Sequence, residues 1–243
     1  MKKIKAIVLG AMLFAFSGAS YAQLESSIYF NMLMPVGTFA KDAKMTNVVE
    51  GEGEVMGLNE IGKDAVFGIG GTYRAGYVFD INVGLIQPFI EATFSWNRIS
   101  SASREKYEKY DARVPNYINI PVMLGISYSY PLSETLQPYG EFGVGYDMLF
   151  IGSEGKKGSN ITDLRYTAGS ALGWQIGGGV IIGKYFSAGI SYFGYGRHKI
   201  RYSSKSEALA ANQNALAMDN DGTVKKNVYR TLGTFAIRLG FHF

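Results

Sequence analysis

The feature that most constrains this sequence is a strict period of two in hydropathy, sustained over long segments. From Ile118 to Tyr130 the even positions are all Ile, Val, Leu or Tyr, and the odd positions are Asn, Pro, Met, Gly or Ser. The C-terminus repeats the pattern, with Phe, Ile or Leu at every odd position from Phe235 to Phe243. Successive side chains of a β-strand point to opposite faces, so each segment predicts a strand with one continuously apolar face.

Eight such segments follow one another along the chain. Their predicted bounds are 26–34, 66–79, 85–96, 117–130, 136–150, 164–182, 185–201 and 227–243. Most of them reach the length of about 9–11 residues that a tilted strand needs to cross a bilayer. Short turns follow the second, fourth and sixth strands, and longer polar loops, near 35–65, 97–116, 151–163 and 203–226, follow the first, third, fifth and seventh. This alternation predicts an all-β fold, an eight-stranded antiparallel up-and-down transmembrane β-barrel with both termini at the short-turn end.

Composition agrees with a barrel and excludes several other classes. The chain has no Cys, which excludes disulfides, Cys-ligated zinc and a Cys nucleophile. Beyond the first two dozen residues there is no apolar run of the roughly 18 residues expected of a membrane helix. A mean hydropathy of +0.01 is nevertheless compatible with a membrane barrel, because lipid-facing residues alternate with lumen-facing ones.

Aromatic residues at outward-reading positions fall at the two ends of the predicted strands. The short-turn group comprises Tyr77, Phe79, Tyr128, Tyr130, Phe186, Phe241 and Phe243, and the long-loop group comprises Phe94, Trp96, Tyr146 and Phe150. Two such bands are typical of the aromatic girdles of outer-membrane barrels.

The N-terminus has the three parts of a secretory signal peptide. Lys2, Lys3 and Lys5 precede the apolar run 6–16, and 20–22 supplies small residues around a cleavage site after Ala22. We therefore predict a signal peptide over residues 1–22 and a barrel domain over residues 23–243. Cleavage would remove three lysines and no acidic residue, lowering the formal net charge from +4 to +1. Such a charge leaves no basic footprint for nucleic-acid binding.

Three segments carry a resemblance to a known family. They are Tyr117–Val122, Gln137–Tyr146 and the C-terminal Leu239–Phe243. Together with the signal peptide and eight strands they resemble the small outer-membrane β-barrel (porin family, OmpA/OmpX-like) domain proteins of Gram-negative bacteria. The resemblance implies location in the outer membrane, contact with its lipids and lipopolysaccharide, and a C-terminal signal at Phe241 and Phe243 that the barrel-assembly machinery reads. We expect a monomer without cofactors.

Four charged residues on inward-reading positions predict a plug in the lumen. The similar segments Gln87–Glu91 and Gln137–Glu141 each lie near the start of a predicted strand and place a Glu on the lumen side. Strands that run in the opposite direction place Arg74 and Arg238 on the lumen side at a similar depth. An eight-stranded barrel is just wide enough for its own side chains. Because a buried charge needs a hydrogen-bonded partner, we predict that Glu91 and Glu141 pair with Arg74 and Arg238. Separate water pockets around each charge are the alternative.

The sequence leaves the function open among three classes. The first is a non-enzymatic barrel with a structural or surface-interaction role through four extracellular loops, one of which holds Glu50, Glu52 and Glu54. The second is a narrow diffusion channel. The third is a lipid-modifying enzyme or an accessory barrel of a secretion complex. Catalysis would need His198, since His242 lies at the periplasmic edge; His198 beside basic residues instead favours a collar that faces lipopolysaccharide phosphates. We thus predict no catalytic residue.

The remaining motifs carry no site. Asp219–Gly222 is similar to the start of a calcium loop, but no Glu follows at the required spacing, so no metal site is predicted. The segment Ser204–Ala210 combines a capping box with good helix formers, which predicts a short helix in the fourth loop.

Overall fold

The structure is a computed structural model, and the residues it describes fall in eight ranges. These are 22–43, 45–47, 57–59, 61–109, 111–153, 155–156, 164–204 and 227–243. The signal peptide predicted over residues 1–22 lies outside them except for Ala22. The acidic segment of the first loop, the fourth-loop helix and Asp219–Gly222 also lie outside the described residues, apart from Ser204.

Nine strands build the wall of the molecule. They are β1 (Ala22–Val36), β4 (Ala65–Asp80), β5 (Leu85–Ile99), β7 (Tyr117–Ser129), β8 (Leu136–Ile151), β10 (Leu164–Ala168), β11 (Ala171–Ile182), β12 (Phe186–Ser204) and β13 (Asn227–His242). Two residues, Gly169 and Ser170, interrupt the predicted sixth strand and divide it into β10 and β11. Counting that interrupted strand once, the barrel has eight strands, as predicted.

The sheet closes on itself. Each of the eight strands pairs antiparallel with its sequence neighbour, and β13 pairs with β12 on one side and with β1 on the other. Closure removes the exposed edges that an open sheet would present. The prediction of an eight-stranded antiparallel up-and-down barrel is confirmed.

The smaller elements lie in the long connections. They are a 3-10 helix (Gly37–Ala40), the hairpin of β2 (Met45–Asn47) with β3 (Gly57–Asn59), the helix α1 (Ser101–Lys109), and the pair β6 (Ala112–Arg113) with β9 (Gly155–Lys156). No sequence pattern predicts α1. Neither helix within these ranges has the length and apolar character of a membrane span.

The outer wall is apolar along most of its height. Its exposed side chains include Ile28, Phe30, Ile69, Ile90, Phe94, Leu124, Ile126, Phe142, Val144, Ile176, Ile190, Phe235, Ile237 and Leu239. Most predicted girdle aromatics are exposed on the same wall, among them Tyr77, Tyr128, Tyr146 and Phe241. Phe79 is an exception, because it is buried despite its outward parity. A continuous apolar exterior of this extent requires a lipid environment.

A β-bulge in β12 reverses the inside and outside faces of that strand. Its register with β13 shifts between Gly194 and Gly196, and Gly196 has a φ of +80°. Before the bulge the buried positions are odd, as at Ser191 and Phe193; beyond it they are even, as at His198 and Ile200. An added residue in one strand has this effect because side chains alternate with a period of two.

Candidate functional site

The structure brings Arg74, Glu91, Glu141 and Arg238 together in one buried cluster, hereafter the ionic cluster. Arg74 donates to Glu91 Oε2 at 2.9 Å from Nε and 2.6 Å from Nη2, and to Glu141 Oε2 at 2.7 Å. Arg238 donates to Glu141 Oε1 at 2.7 Å and to Glu91 Oε2 at 2.9 Å. Each guanidinium therefore binds both carboxylates. The formal charges balance, and all four side chains are at most 2% exposed.

Strand register and side-chain size position the ionic cluster. Arg74 and Glu91 are direct cross-strand partners on β4 and β5, whereas Glu141 reaches in from β8 and Arg238 from β13. The residue paired with Glu141 on β11 is Gly177, where a Cβ would lie 3.0 Å from a Glu141 carboxylate oxygen. Ordinary contact begins near 3.4 Å. The glycine thus leaves room for the carboxylate.

Aromatic rings and a hydroxyl surround the charges. The Arg74 guanidinium lies 3.8 Å from the centroid of the Phe89 ring, and that of Arg238 lies 4.2 Å from the centroid of Tyr29. Ser191 donates a hydrogen bond of 3.0 Å to Glu141 Oε1. Cations over ring faces are further stabilised where water is excluded. The cluster therefore fills the lumen from several sides.

A second obstruction, hereafter the apolar cap, fills the lumen toward the long loops. It is a cluster of buried side chains from the strands and from two of the connections: Leu33, Phe39, Ile61, Ala65, Ile99, Tyr107, Tyr117, Leu149, Phe193, Tyr195, Ile200, Val228, Leu232 and Ala236. Tyr117 Oη donates to the carbonyl of Lys63, and Arg230 Nε donates to the carbonyl of Ile61. These bonds hold the returning end of the first loop inside the mouth. The sequence does not predict this cap, because polar long loops indicate solvent exposure or recognition and carry no signal that they fold into the lumen.

His198 does not belong to an outward basic collar, which corrects the sequence interpretation. The bulge turns it inward, where Nε2 lies 2.9 Å from Asp147 Oδ2 and Nδ1 lies 2.7 Å from the Gly169 carbonyl oxygen. Nε2 also lies 3.0 Å from the Tyr195 carbonyl oxygen. Both ring nitrogens thus face oxygen acceptors, and the ring bridges β12 to the break between β10 and β11. The role of His198 is therefore structural, since its ring links these strands.

His242, which the sequence analysis set aside, contacts both a hydroxyl and a carboxylate. Its Nε2 lies 2.8 Å from Ser187 Oγ, and its Nδ1 lies 2.8 Å from Glu25 Oε1 and 3.0 Å from Ser27 Oγ. These residues lie on the adjacent strands β12, β13 and β1, near their short-turn ends. The separations in sequence, 55 and 217 residues, gave no signal that they would meet.

The architecture defines the class of protein. A closed antiparallel barrel with an apolar exterior suits a structure that spans lipid, since its strands pair around the whole circumference; among the described strands of the wall only the short β10 pairs on one side, with β12. Its polar, ionic interior is typical of the outer-membrane type. The chain is a small transmembrane β-barrel of that type.

Solved structures of small outer-membrane proteins are similar to this chain in fold. Neisserial surface protein A has 10% sequence identity and a TM-score of 0.45 over 92% of this chain and 98% of its own. OprG from Pseudomonas aeruginosa has 14% identity and a TM-score of 0.42 over 93% and 97%. The outer membrane enzyme PagL has 12% identity and a TM-score of 0.37 over 89% and 98%. No protein-family model and no curated protein sequence matches the chain. Because one fold serves many roles, the role must be argued from the residues.

Proposed function

We propose that this protein is an outer-membrane barrel closed to solutes, whose main role is structural or in surface interaction through its long loops. The observation that carries the proposal is the ionic cluster. Four charges that satisfy one another across the lumen at about 2.6–2.9 Å leave no continuous water path between them. The apolar cap obstructs the lumen a second time. Two independent seals argue against the alternative of a narrow diffusion channel.

The matching experiment is single-channel recording in planar bilayers. Wild-type protein should give no stable conductance steps, with a conductance at least about 100-fold below that of a 16-stranded porin, whose lumen is an aqueous channel. A variant that opens both seals, R74A/E91A with F39A/Y107A, should conduct, whereas each half alone should remain closed. Large, stable steps from the folded wild-type barrel would overturn the proposal.

Orientation and assembly form part of the same proposal. The short-turn end and both termini face the periplasm, and the long loops face outward, as in other barrels of this kind. Phe241 and Phe243 are exposed on the wall at the C-terminus, with ring centroids 6.3 Å apart. Their accessibility supports a role as the signal that the barrel-assembly machinery reads. Residues 1–22 serve as the signal peptide for export.

Lipopolysaccharide is the partner that the outer wall favours. Arg197 and Lys199 are stacked on the exposed ring of Tyr229, with the Arg197 guanidinium 4.8 Å from the ring centroid. A further exposed guanidinium, Arg98, lies 4.5 Å from the centroid of Trp96. Basic groups above aromatic rings on the long-loop half of the wall can bind anionic headgroups while the rings contact acyl chains.

Removing this basic collar should weaken lipopolysaccharide binding. We expect R98A/R197A to reduce retention of lipopolysaccharide on the purified barrel by about 10-fold or more, because each lost contact with phosphate is a charge-assisted hydrogen bond. Copurified phosphate per protein gives the measurement. The variant K184A, which removes an exposed cation at the short-turn end, is the matched control and should retain the wild-type amount. Equal loss in both variants would contradict the assignment.

A lipid-modifying reaction at the outer face is not part of the proposal. It depended on His198, and the structure turns that ring into the lumen against Asp147 and two backbone carbonyls.

A further inference from the structure

The hydrogen-bonded chain Glu25–His242–Ser187 has the proton arrangement of an activated serine. Glu25 is an acceptor when ionised, so its contact of 2.8 Å requires a proton on Nδ1 of His242. In the neutral imidazole Nε2 then carries the lone pair. That lone pair faces Ser187 Oγ at 2.8 Å, so the hydroxyl donates to it. Both distances lie within the range required of a nucleophile, its base and the group that orients the base.

We propose that Ser187 is a nucleophile for small carboxylic esters, with His242 as its general base and Glu25 as the residue that positions the imidazole. The site lies at the short-turn mouth of the lumen. It is independent of the closed lumen and of the outer surface that carry the proposed function. It is also at the opposite end of the barrel from His198.

The geometry of the site is rigid. Ser187 is opposite Gly240 on β13, and Ser27 of β1 is opposite His242. A Cβ at position 240 would collide with Ser187 Oγ, so the glycine gives the hydroxyl its place. The ring of Tyr29 packs edge-on against the imidazole, with the centroids 5.9 Å apart and the planes at 82°. Side chains held by regular strands and by packing keep the precise orientation that catalysis requires.

The mouth determines the class of substrate. A cavity of about 30 Å³ adjoins the imidazole and is lined by Glu25 and His242 on one side and by polar groups, including Gln87, Ser127 and Tyr139, on the other. Ser187 is buried behind His242 and is not part of this lining, so an acyl group held on its Oγ would extend past the imidazole into the cavity. A space of this size accommodates a water molecule or a very short acyl group, and it excludes a fatty acyl chain. The ionic cluster, whose Arg74 also lines the cavity, closes it on the side that faces the interior of the barrel. The expected substrates are therefore water-soluble esters of short acids.

The reaction follows from the positions of the protons. Ser187 Oγ attacks the ester carbonyl carbon while its proton passes to Nε2 of His242. The carbon–oxygen bond to the alcohol then breaks, and the alcohol leaves with that proton, which leaves an acyl group on Ser187. Water attacks this acyl ester in a second step, with Nε2 again accepting a proton and returning it to Oγ as the acid departs. Glu25 stabilises the imidazolium that forms in each step.

A small sulfonyl fluoride tests the nucleophile directly. Mature protein, folded in detergent or vesicles, is treated with methanesulfonyl fluoride, a serine reagent small enough for the site, and the adduct is located by peptide mass spectrometry. We expect one methanesulfonyl group on Ser187 with release of fluoride, and slow hydrolysis of p-nitrophenyl acetate. The variant S187A should lose both signals. H242A should slow labelling by about 100-fold or more, the usual contribution of a general base.

Matched variants separate reactivity from structure. S26A removes a serine on the opposite face of β1, where its hydroxyl contacts Tyr73, and S133A removes an exposed serine in the turn between β7 and β8; both should be labelled at the wild-type rate. E25Q should slow labelling, because Nδ1 of His242 then loses the carboxylate that holds the imidazole in place. Heat-dependent gel mobility verifies that each variant is folded. Absence of a Ser187 adduct in the folded wild-type barrel, or unchanged labelling of folded H242A, would overturn the proposal.

Discussion

We expect Arg238→Ala to lower the free energy of unfolding of the barrel by about 3–5 kcal/mol, the cost of leaving a buried carboxylate without its partner. Arg238 donates to Glu141 Oε1 at 2.7 Å and to Glu91 Oε2 at 2.9 Å. Its removal leaves two carboxylates with only Arg74 between them, in a place that water does not reach. The measurement is equilibrium unfolding by urea in lipid vesicles, followed by the fluorescence of Trp96 and Trp174.

Two comparisons make this result specific to the ionic cluster. Arg104→Ala removes a guanidinium that is 39% exposed on α1 and lies 4.0 Å from Glu108, and it should change stability by less than about 1 kcal/mol. A fully apolar cluster, R74M/E91L/E141L/R238M, should recover at least half of the loss, because no charge then remains unpaired. A loss of less than about 1 kcal/mol in Arg238→Ala would show that the four charges do not depend on one another.

The second large effect is expected at the bulge. We expect Gly196→Ala to destabilise the barrel by about 3 kcal/mol or more. The residue has a φ of +80°, and a Cβ there would collide with the backbone carbonyl of Leu172 on β11. Left-handed strain contributes about 1–2 kcal/mol, and the collision adds the cost of overpacking. The same unfolding experiment measures the loss.

Gly183→Ala is the control for strain alone. Gly183 has a φ of +64°, but a Cβ would find nothing within 4 Å of it in the turn between β11 and β12. This variant should lose about 1 kcal/mol. The difference in the loss of stability between the two variants therefore measures the collision with Leu172. Equal losses would mean that the backbone of the bulge shifts to accommodate the new methyl group. Such a shift would also displace His198 from Asp147.

Much of the fold could be predicted from the sequence because contact with lipid constrains every strand of the barrel in the same way. Each wall strand must present alternate residues to hydrocarbon, so the period of two recurs in all eight predicted strands, and seven of them begin within two residues of the observed starts. The first strand is longer than predicted, beginning at Ala22, and the sixth is interrupted after Ala168. Such ends depend on loop contacts that the alternation does not encode.

Whether the sequence places a lumen residue correctly depends on whether a bulge interrupts the alternation in its strand. Between the short turns and Arg74, Glu91, Glu141 and Arg238, no bulge intervenes, so parity alone places these side chains on the lumen face. The bulge at Gly194 and Gly196 lies between the turn and His198, and every face beyond it is reversed. Its pair of glycines is the one local signal that could have indicated the reversal.

The sequence by itself therefore determined a strand-built wall, its two faces and the depth of charges along each strand, because these follow from a local period of two. Only the tertiary structure decided which lumen residues meet beyond the four charges whose matching depth predicts their pairing. His242 reaches Glu25 across 217 residues, since closing the barrel joins the first and last strands. Contacts of that kind depend on shear and closure of the whole sheet, and no local pattern carries that information.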